Sequence, residues 1–106
     1  MIHVFLHEAC HALFYRIPWL KELHDQEHAL IDEVLARILE SDLSPLFGLT
    51  PHTIEEHVEE LSHYDLKFRV TKENLEHLAA AWNKEYKRSR DLTGFAEYTR
   101  KYLLGC

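Results

Sequence analysis

A stretch in the first half of the chain repeats apolar residues with the period of an α-helix. From Glu27 onward they recur at intervals of three and four residues, at Leu30, Ile31, Val34, Leu35, Ile38 and Leu39. This spacing places all six side chains along one side of a helix. The segment therefore predicts a helix with one apolar side.

The segment before it also favours a helix. Residues 2–14 are largely apolar and contain no Gly or Pro, and Pro18 then limits how far a helix can extend. We expect a first, largely buried helix at about residues 2–16. Residues 19–26 are expected to form a connection or a short helical turn.

A third helix is expected after a break at residues 41–48. Thr50 followed by Pro51 predicts its start, because proline at the first helical position loses no needed hydrogen bond. The helix should end near residue 62. Residues 64–70 alternate weakly between apolar and polar, so they form either an extended connector or one short strand.

Two further helices are predicted from their end signals. Thr71 is the expected cap of a fourth helix that runs to about Arg88. Asp91 or Thr93 opens a fifth, which ends near residue 104 because Gly105 follows.

The composition agrees with one folded unit. The chain has 106 residues, of which 46% are hydrophobic, with only 3 Gly and 3 Pro. It is too short for two independent cores and too apolar to be disordered. We predict a single compact all-α domain spanning 1–106, with about five helices and at most one short strand.

No apolar run approaches the roughly 20 residues that span a bilayer, and no basic-then-apolar leader begins the chain. Its two cysteines, Cys10 and Cys106, lie near opposite ends and cannot form a dense disulfide framework. We therefore expect a soluble, cytoplasmic protein with no membrane partner.

Charge is distributed unevenly. Residues 1–65 hold 13 of the 18 acidic side chains, whereas residues 66–106 hold 9 of the 12 basic ones, including Lys84, Lys87 and Arg88. Clustered basic residues can contact nucleic-acid phosphates. A net charge of −6 favours instead a solvated helix face or docking on the acidic half. A nucleic-acid partner is not expected.

The chain contains nine histidines, and two of them form a pattern typical of metal sites. Residues 7–11 read His-Glu-Ala-Cys-His, the arrangement HExxH. Residues four apart on a helix lie on the same face, so His7 and His11 can converge on one cation, zinc above all. Glu8 projects beside them, where a carboxylate can accept a proton from a water that the metal activates.

The surroundings strengthen this interpretation. His7, Glu8 and His11 are polar exceptions in an otherwise apolar helix, and burying such groups without a partner is costly. Metal coordination would satisfy them. The alternative is that the histidines form hydrogen bonds in the core or at a helix end. Cys10 is expected to pack as a small buried residue rather than to bind metal.

Residues 6–13, Leu-His-Glu-Ala-Cys-His-Ala-Leu, resemble the active-site helix of the zincin metallopeptidases. In the gluzincin branch a glutamate on the next helix supplies the third zinc ligand. Glu33, within Asp32-Glu33-Val34-Leu35-Ala36, lies at a similar distance from His11 along the chain. The resemblance covers about residues 4–39. It is closest to the minimal gluzincins and to short phage-encoded HExxH proteins related to the ImmA/IrrE peptidases.

Several residues compete for the role of third ligand. Ala29, Glu33 and Ala36 share a face turned away from the apolar stripe, and the small alanines would allow the close approach that a metal bond needs. Glu33 is therefore our choice. If the helix instead packs on the first one through its apolar side, Glu27 replaces Glu33. A third interpretation has Asp32 and Glu33 on a solvated face.

Two more histidines, His24 and His28, form an HxxEH pattern with Glu27, the inverted zincin order. The stretch is polar and follows Pro18, as a solvated helix start would. We treat these histidines as weaker alternatives to Glu33.

The sequence departs from the gluzincin pattern at two places. Gluzincins have a substrate-binding edge strand upstream, but only six residues precede His7. Three alternatives follow: the C-terminal segment binds the substrate, the strand lies outside this chain, or peptidase activity has been lost. Arg37 lies where the family often has an acidic partner for a ligand histidine. The orientation of His7 must come from elsewhere.

An oxyanion donor would assist a peptidase. The sequence does not choose among the candidates, which are His57, His63, Tyr64, Tyr86, Tyr98 and Tyr102.

These observations favour a zinc metallopeptidase that acts on a peptide or protein, with His7, His11 and Glu33 as metal ligands and Glu8 as general base. The alternative is a non-catalytic helical binding module with a structural or degenerate metal site.

Overall fold

The computed structural model describes residues 2–22, 26–63 and 70–105, with the side chains of residues 4–21, 29–63 and 70–105. Each regular element in these ranges is helical, which confirms the all-α prediction. In chain order they are α1 (Ile2–Phe14), α2 (Pro18–Glu22), α3 (Gln26–Leu43), a 3-10 helix (Ser44–Phe47), α4 (Ile54–Leu61), α5 (Lys72–Ala81), a π-helical turn (Trp82–Tyr86) and α6 (Leu92–Leu104). The segment for which a strand was considered, residues 64–70, lies almost wholly outside the described residues.

Helix α3 lies at the centre of the fold. It contacts every other α-helix and packs most extensively on α1. Its apolar stripe is buried, with Ile31, Val34 and Leu35 fully excluded from solvent. The opposite side is covered as well, because Asp32 and Glu40 are buried. Burial on both sides places the polar face of α3 against α1 rather than in water.

The predicted start of the third helix is wrong by three residues. Helix α4 begins at Ile54, and its N-cap is Thr53 rather than Thr50. The Thr53 hydroxyl accepts a hydrogen bond from the Glu56 backbone N–H, and the Glu56 carboxylate accepts one from the Thr53 N–H. This reciprocal capping box satisfies two backbone donors. A helix that began at Pro51 would lack these two hydrogen bonds.

The C-terminal helices follow their predicted caps, with one difference. Thr71 caps α5 through a capping box with Asn74, and the Asp91 side chain caps α6. The expected continuous helix to Arg88 does not form, because α5 passes into a π-helical turn in which the Lys87 N–H donates to the Trp82 carbonyl. Gly105 ends α6 in the left-handed conformation, with a φ of 72°.

The core joins α1 to these C-terminal helices. Phe14 and Phe95 are the largest fully buried side chains, and Cys10 is also fully buried, as predicted. Helix α1 is two residues shorter than predicted. None of the described helices is both long enough and apolar enough to cross a bilayer.

Candidate metal centre

The interface between α1 and α3 brings together the residues that the sequence singled out. His7 and His11 lie one turn apart on α1, so their rings point to the same side, towards the polar face of α3. Glu33 lies on that face and reaches between them. Asp32 is buried and Glu33 is largely covered, so the alternative that these two residues lie on a solvated face is wrong.

The three side chains present one ligand atom each to a common point. The His11 Nε2 lies 3.0 Å from the His7 Nε2 and 2.8 Å from the Glu33 Oε1, and the last two atoms are 3.2 Å apart. Four tetrahedral ligands at roughly 2.0–2.1 Å from a zinc ion are separated from one another by about 3.3 Å. A small outward movement of each side chain therefore suffices to admit an ion. These residues form a group that can hold a metal ion.

Two further carboxylates orient the histidines from behind. The His7 Nδ1–H donates to the Glu40 Oε1 at 3.2 Å, and the His11 Nδ1–H donates to the Asp32 Oδ2 at 3.0 Å. An ionised carboxylate only accepts hydrogen bonds, so each Nδ1 must carry the proton. In the neutral imidazoles both Nε2 atoms then present lone pairs towards Glu33. Three acceptors that face one point require a cation or protons between them.

The pKa values of these side chains are shifted in the direction that keeps protons between them. Hydrogen bonds to Glu33 and Glu40 raise the pKa of His7 to about 9. Burial by itself lowers the pKa of His11, but hydrogen bonds to Asp32 and Glu33 outweigh it and raise that pKa to about 10. Burial acts to raise the pKa of Glu33, but the two histidines hold it well below its usual range. Without metal, the histidines therefore retain protons at neutral pH, and a bound cation would replace them.

Glu8 lies at the edge of an open pocket beside the group. The pocket has a volume of about 400 Å³, and its lining includes Glu8, His11, Tyr15 and Glu33. The Glu8 side chain is exposed, whereas the ligand side chains are largely covered. A water or a substrate can thus reach Glu8, His11 and Glu33 from the same side, whereas His7 lines a different pocket.

Tyr15 belongs to this pocket and was not among the predicted oxyanion donors. The centre of its ring lies 6.0 Å from the centre of the His11 ring. His11 precedes Tyr15 by about one helical turn. The negative charge of Asp32 and a hydrogen bond to its carboxylate raise the pKa of Tyr15, so the phenol keeps its proton and directs it to Asp32 when no substrate is present. The spacing of four residues between His11 and Tyr15 was the signal in the sequence that could have found it.

Arg37 contacts the group from the far side of Glu33. Its Nε–H donates to the Glu33 Oε2 at 3.2 Å, which leaves the Oε1 directed at the histidines. The acidic partners of the two histidines are Asp32 and Glu40 rather than the residue at position 37. Glu40 was missed, although its position seven residues after Glu33 places both on one helix face.

The other candidates lie elsewhere. His57 is buried and contacts Arg37 and Ser41. The Arg37 side chain lies between His57 and Glu33. The other described candidates lie outside the pocket: His63 is exposed, Tyr86 packs on Phe95, and Tyr98 and Tyr102 stack on His77. The side chains of Glu27, His24 and His28, and the whole of Tyr64, lie outside the described residues.

Comparisons of the chain with protein-family models, with curated proteins and with solved structures find no match.

Proposed function

We propose that the protein is a zinc-dependent peptidase in which His7, His11 and Glu33 bind the ion and Glu8 is the general base. The observation that carries the proposal is the convergence of three ligand atoms within 3.2 Å of one another, in a group that borders the pocket of Glu8. Two imidazole nitrogens and one carboxylate oxygen are a donor set typical of catalytic zinc, which leaves one position open.

Zinc, when bound, would supply a Lewis acid that polarises a carbonyl oxygen and lowers the pKa of a water. The chain's own residues supply the rest. Asp32 and Glu40 hold the two imidazoles in the tautomer that binds metal. Glu8 takes a proton from the attacking water and returns it to the leaving amine. Tyr15 donates a hydrogen bond to the oxygen on which negative charge develops.

The experiment that tests the proposal separates catalysis from metal binding. Zinc-loaded parent protein and the Glu8→Gln variant are incubated with β-casein, an unfolded protein substrate, and cleavage is followed by mass spectrometry. Loss of a general base slows hydrolysis by about 10²- to 10⁴-fold. We expect that loss in Glu8→Gln with an unchanged zinc content.

Glu59→Gln is the matched control, because Glu59 is an exposed glutamate on α4 that has no contact with the group. It should cleave casein at the parent rate. No cleavage by the zinc-loaded parent, or equal cleavage by Glu8→Gln, would contradict the proposal.

One observation favours a second function, a helical binding module whose metal site is structural. The side chains of His7, His11 and Glu33 are only 19%, 11% and 18% exposed, and they join α1 to α3. Structural zinc sites are closed in this manner and contribute to folding. In that case removal of zinc would lower the melting temperature, while neither the parent nor the Glu8→Gln variant would cleave casein.

A further inference from the structure

A second cavity lies on the other side of Arg37 from the metal centre. It has a volume of about 470 Å³ and is bounded by α3, the 3-10 helix, α4, α5 and the π-helical turn. Most of its wall is apolar, with contributions from Ile38, Ile54, Leu75 and Trp82. Cavities of this size and character are typical of sites for small organic molecules.

The polar groups of this cavity are arranged as a chain with a fixed direction. The Arg37 Nη1–H donates to the His57 Nδ1 at 3.2 Å, and a guanidinium can only donate. His57 must therefore carry its proton on Nε2, from which it donates to the Ser41 Oγ at 2.9 Å. The Ser41 hydroxyl proton then remains available as a donor.

This direction excludes a serine nucleophile. A histidine that activates serine must accept the hydroxyl proton on Nε2, whereas the Nε2 of His57 already carries a proton. Burial and the charge of Arg37 also lower the pKa of His57 to about 4. His57 is thus a neutral link that fixes the orientation of the Ser41 hydroxyl.

The polar groups that face a ligand in this cavity are mainly hydrogen-bond donors. Ser41 supplies its hydroxyl, and the Nη2 of Arg37 forms no hydrogen bond within the part of the chain that the structure describes. The Trp82 Nε1 also has no hydrogen-bond partner among the described residues, but this atom is fully buried and does not face the cavity space. The one carboxylate in the lining, Asp42, is bound by Lys87 at 2.7 Å. The other cation of the lining, Arg37, is paired with Glu33, which lies outside the cavity wall.

We propose that this cavity binds a small hydrophobic carboxylate, with the acid group on Arg37 and Ser41 and the apolar body against Ile54, Leu75 and Trp82. A ligand with an acceptor head matches these donors, and a carboxylate forms a stronger hydrogen bond with a guanidinium than a neutral acceptor does. Such a group occurs both in free arylalkanoic acids and at the C-terminus of a peptide that ends in an apolar residue. The site is distinct from the metal centre, which Arg37 contacts through Glu33.

The proposal is tested by isothermal titration calorimetry on the zinc-loaded and the metal-free full chain. The ligands are 4-phenylbutyrate, its amide 4-phenylbutyramide, and N-acetylphenylalanine. We expect saturable binding of the acids with one site per chain, and binding of the amide weaker by about tenfold or more, since hydrogen bonds to charged groups contribute more than neutral ones. Tighter binding of N-acetylphenylalanine indicates a peptide C-terminus as the source, and tighter binding of 4-phenylbutyrate indicates a free acid.

Two neighbouring alanines on α5 provide a matched pair of variants. Ala79 lines the cavity, whereas Ala80 is exposed. Ala79→Leu should fill the space and weaken binding at least tenfold, while Ala80→Leu should bind as the parent does. Ser41→Ala should bind the acid several-fold more weakly than the parent does. If Ala79→Leu fails to fold, the affinity of Ser41→Ala tests the proposal in its place.

Three results would overturn the proposal. They are the absence of saturable binding by either acid, equal affinity for the acid and its amide, and an affinity in a folded Ala79→Leu or in Ser41→Ala that equals the parent's.

Discussion

Among single residues, His7 and His11 are distinctive because each ring nitrogen faces an acidic group or the other histidine. On the outer side, Glu40 and Asp32 each accept a hydrogen bond from an Nδ1–H. On the inner side, Glu33 contacts both Nε2 atoms. The outer carboxylates are buried, so their charge acts at short range with little screening. The affinity of the site for metal should therefore depend on residues that do not touch the ion.

The first prediction concerns one of these outer carboxylates. Asp32→Asn removes the negative charge behind His11 and makes its imidazole a weaker ligand. Loss of such a partner lowers metal affinity by about 10- to 100-fold. Competition with a chromophoric chelator measures the change. Asp42→Asn is the control, because Asp42 lies on the same helix and pairs with Lys87 instead. Parent-like zinc affinity in Asp32→Asn would show that this hydrogen bond does not support the site.

The second prediction concerns pH in the metal-free protein. The pKa values of His7 and His11 rise from 6.5 to about 9 and about 10 on folding. Groups with a raised pKa stabilise the folded state fully below pH 6.5, and the contribution is lost as pH rises through the folded values. The free energy of unfolding should therefore decrease between pH 7 and 9, as measured by urea denaturation in the presence of a chelator.

The double variant His7→Gln/His11→Gln is the control for this decrease. Burial raises the pKa of Cys10 from 9.0 to about 12, so this thiol begins to destabilise the fold only above about pH 9. Between pH 7 and 9 the double variant should show a much smaller decrease than the parent. An equal decrease in both proteins would assign the effect to other groups.

Part of this site could be predicted from the sequence, and the rest depends on packing. The HExxH spacing places His7 and His11 on one face whatever surrounds them. The convergence of Glu33 on them depends on which side of α3 meets α1, which one periodic pattern does not specify. Glu40 and Tyr15 were missed because each acts through a partner, Glu40 through His7 and Tyr15 through a pocket that also needs α3.

Among the helices, the start of α4 shows how side-chain hydrogen bonds choose between two neighbouring signals. Thr53 and Glu56 form a capping box, whereas Thr50 lies outside the helix. We predict that Thr53→Ala lowers the free energy of unfolding by about 1 kcal/mol. Thr50→Ala, the matched control at an exposed position, should change it by less than about 0.5 kcal/mol. Urea denaturation measures both, and equal effects would argue against the cap.

The helices themselves were largely predictable, because their signals are local. The period of α3 and the caps Thr71 and Gly105 were predicted from neighbouring residues, and Asp91 was one of two candidates for the start of α6. The π-helical turn at Trp82 was not, and the ring of this residue packs against Phe95 on α6. No spacing within α5 indicates a contact with a later helix.

For the molecule as a whole, the candidate metal site lies at the interface that joins α1 to the core. Phe14, at the end of α1, is fully buried in that core. Phe14→Ala should lower the free energy of unfolding by about 3–5 kcal/mol, because it removes a large side chain and leaves a cavity. Phe47, which is 60% exposed, provides the control, and Phe47→Ala should cost less than about 0.5 kcal/mol. Thermal or urea unfolding distinguishes the two, and a small effect in Phe14→Ala would contradict this packing.

The zinc content of the purified chain, determined by elemental analysis, tests the metal centre most directly. After exposure to zinc and removal of excess ion, the parent should retain about one ion per chain. His11→Ala should retain almost none, while His63→Ala, which removes an exposed histidine remote from the pocket, should match the parent. A parent that retains no zinc, or a His11→Ala variant that retains as much as the parent, would contradict the account.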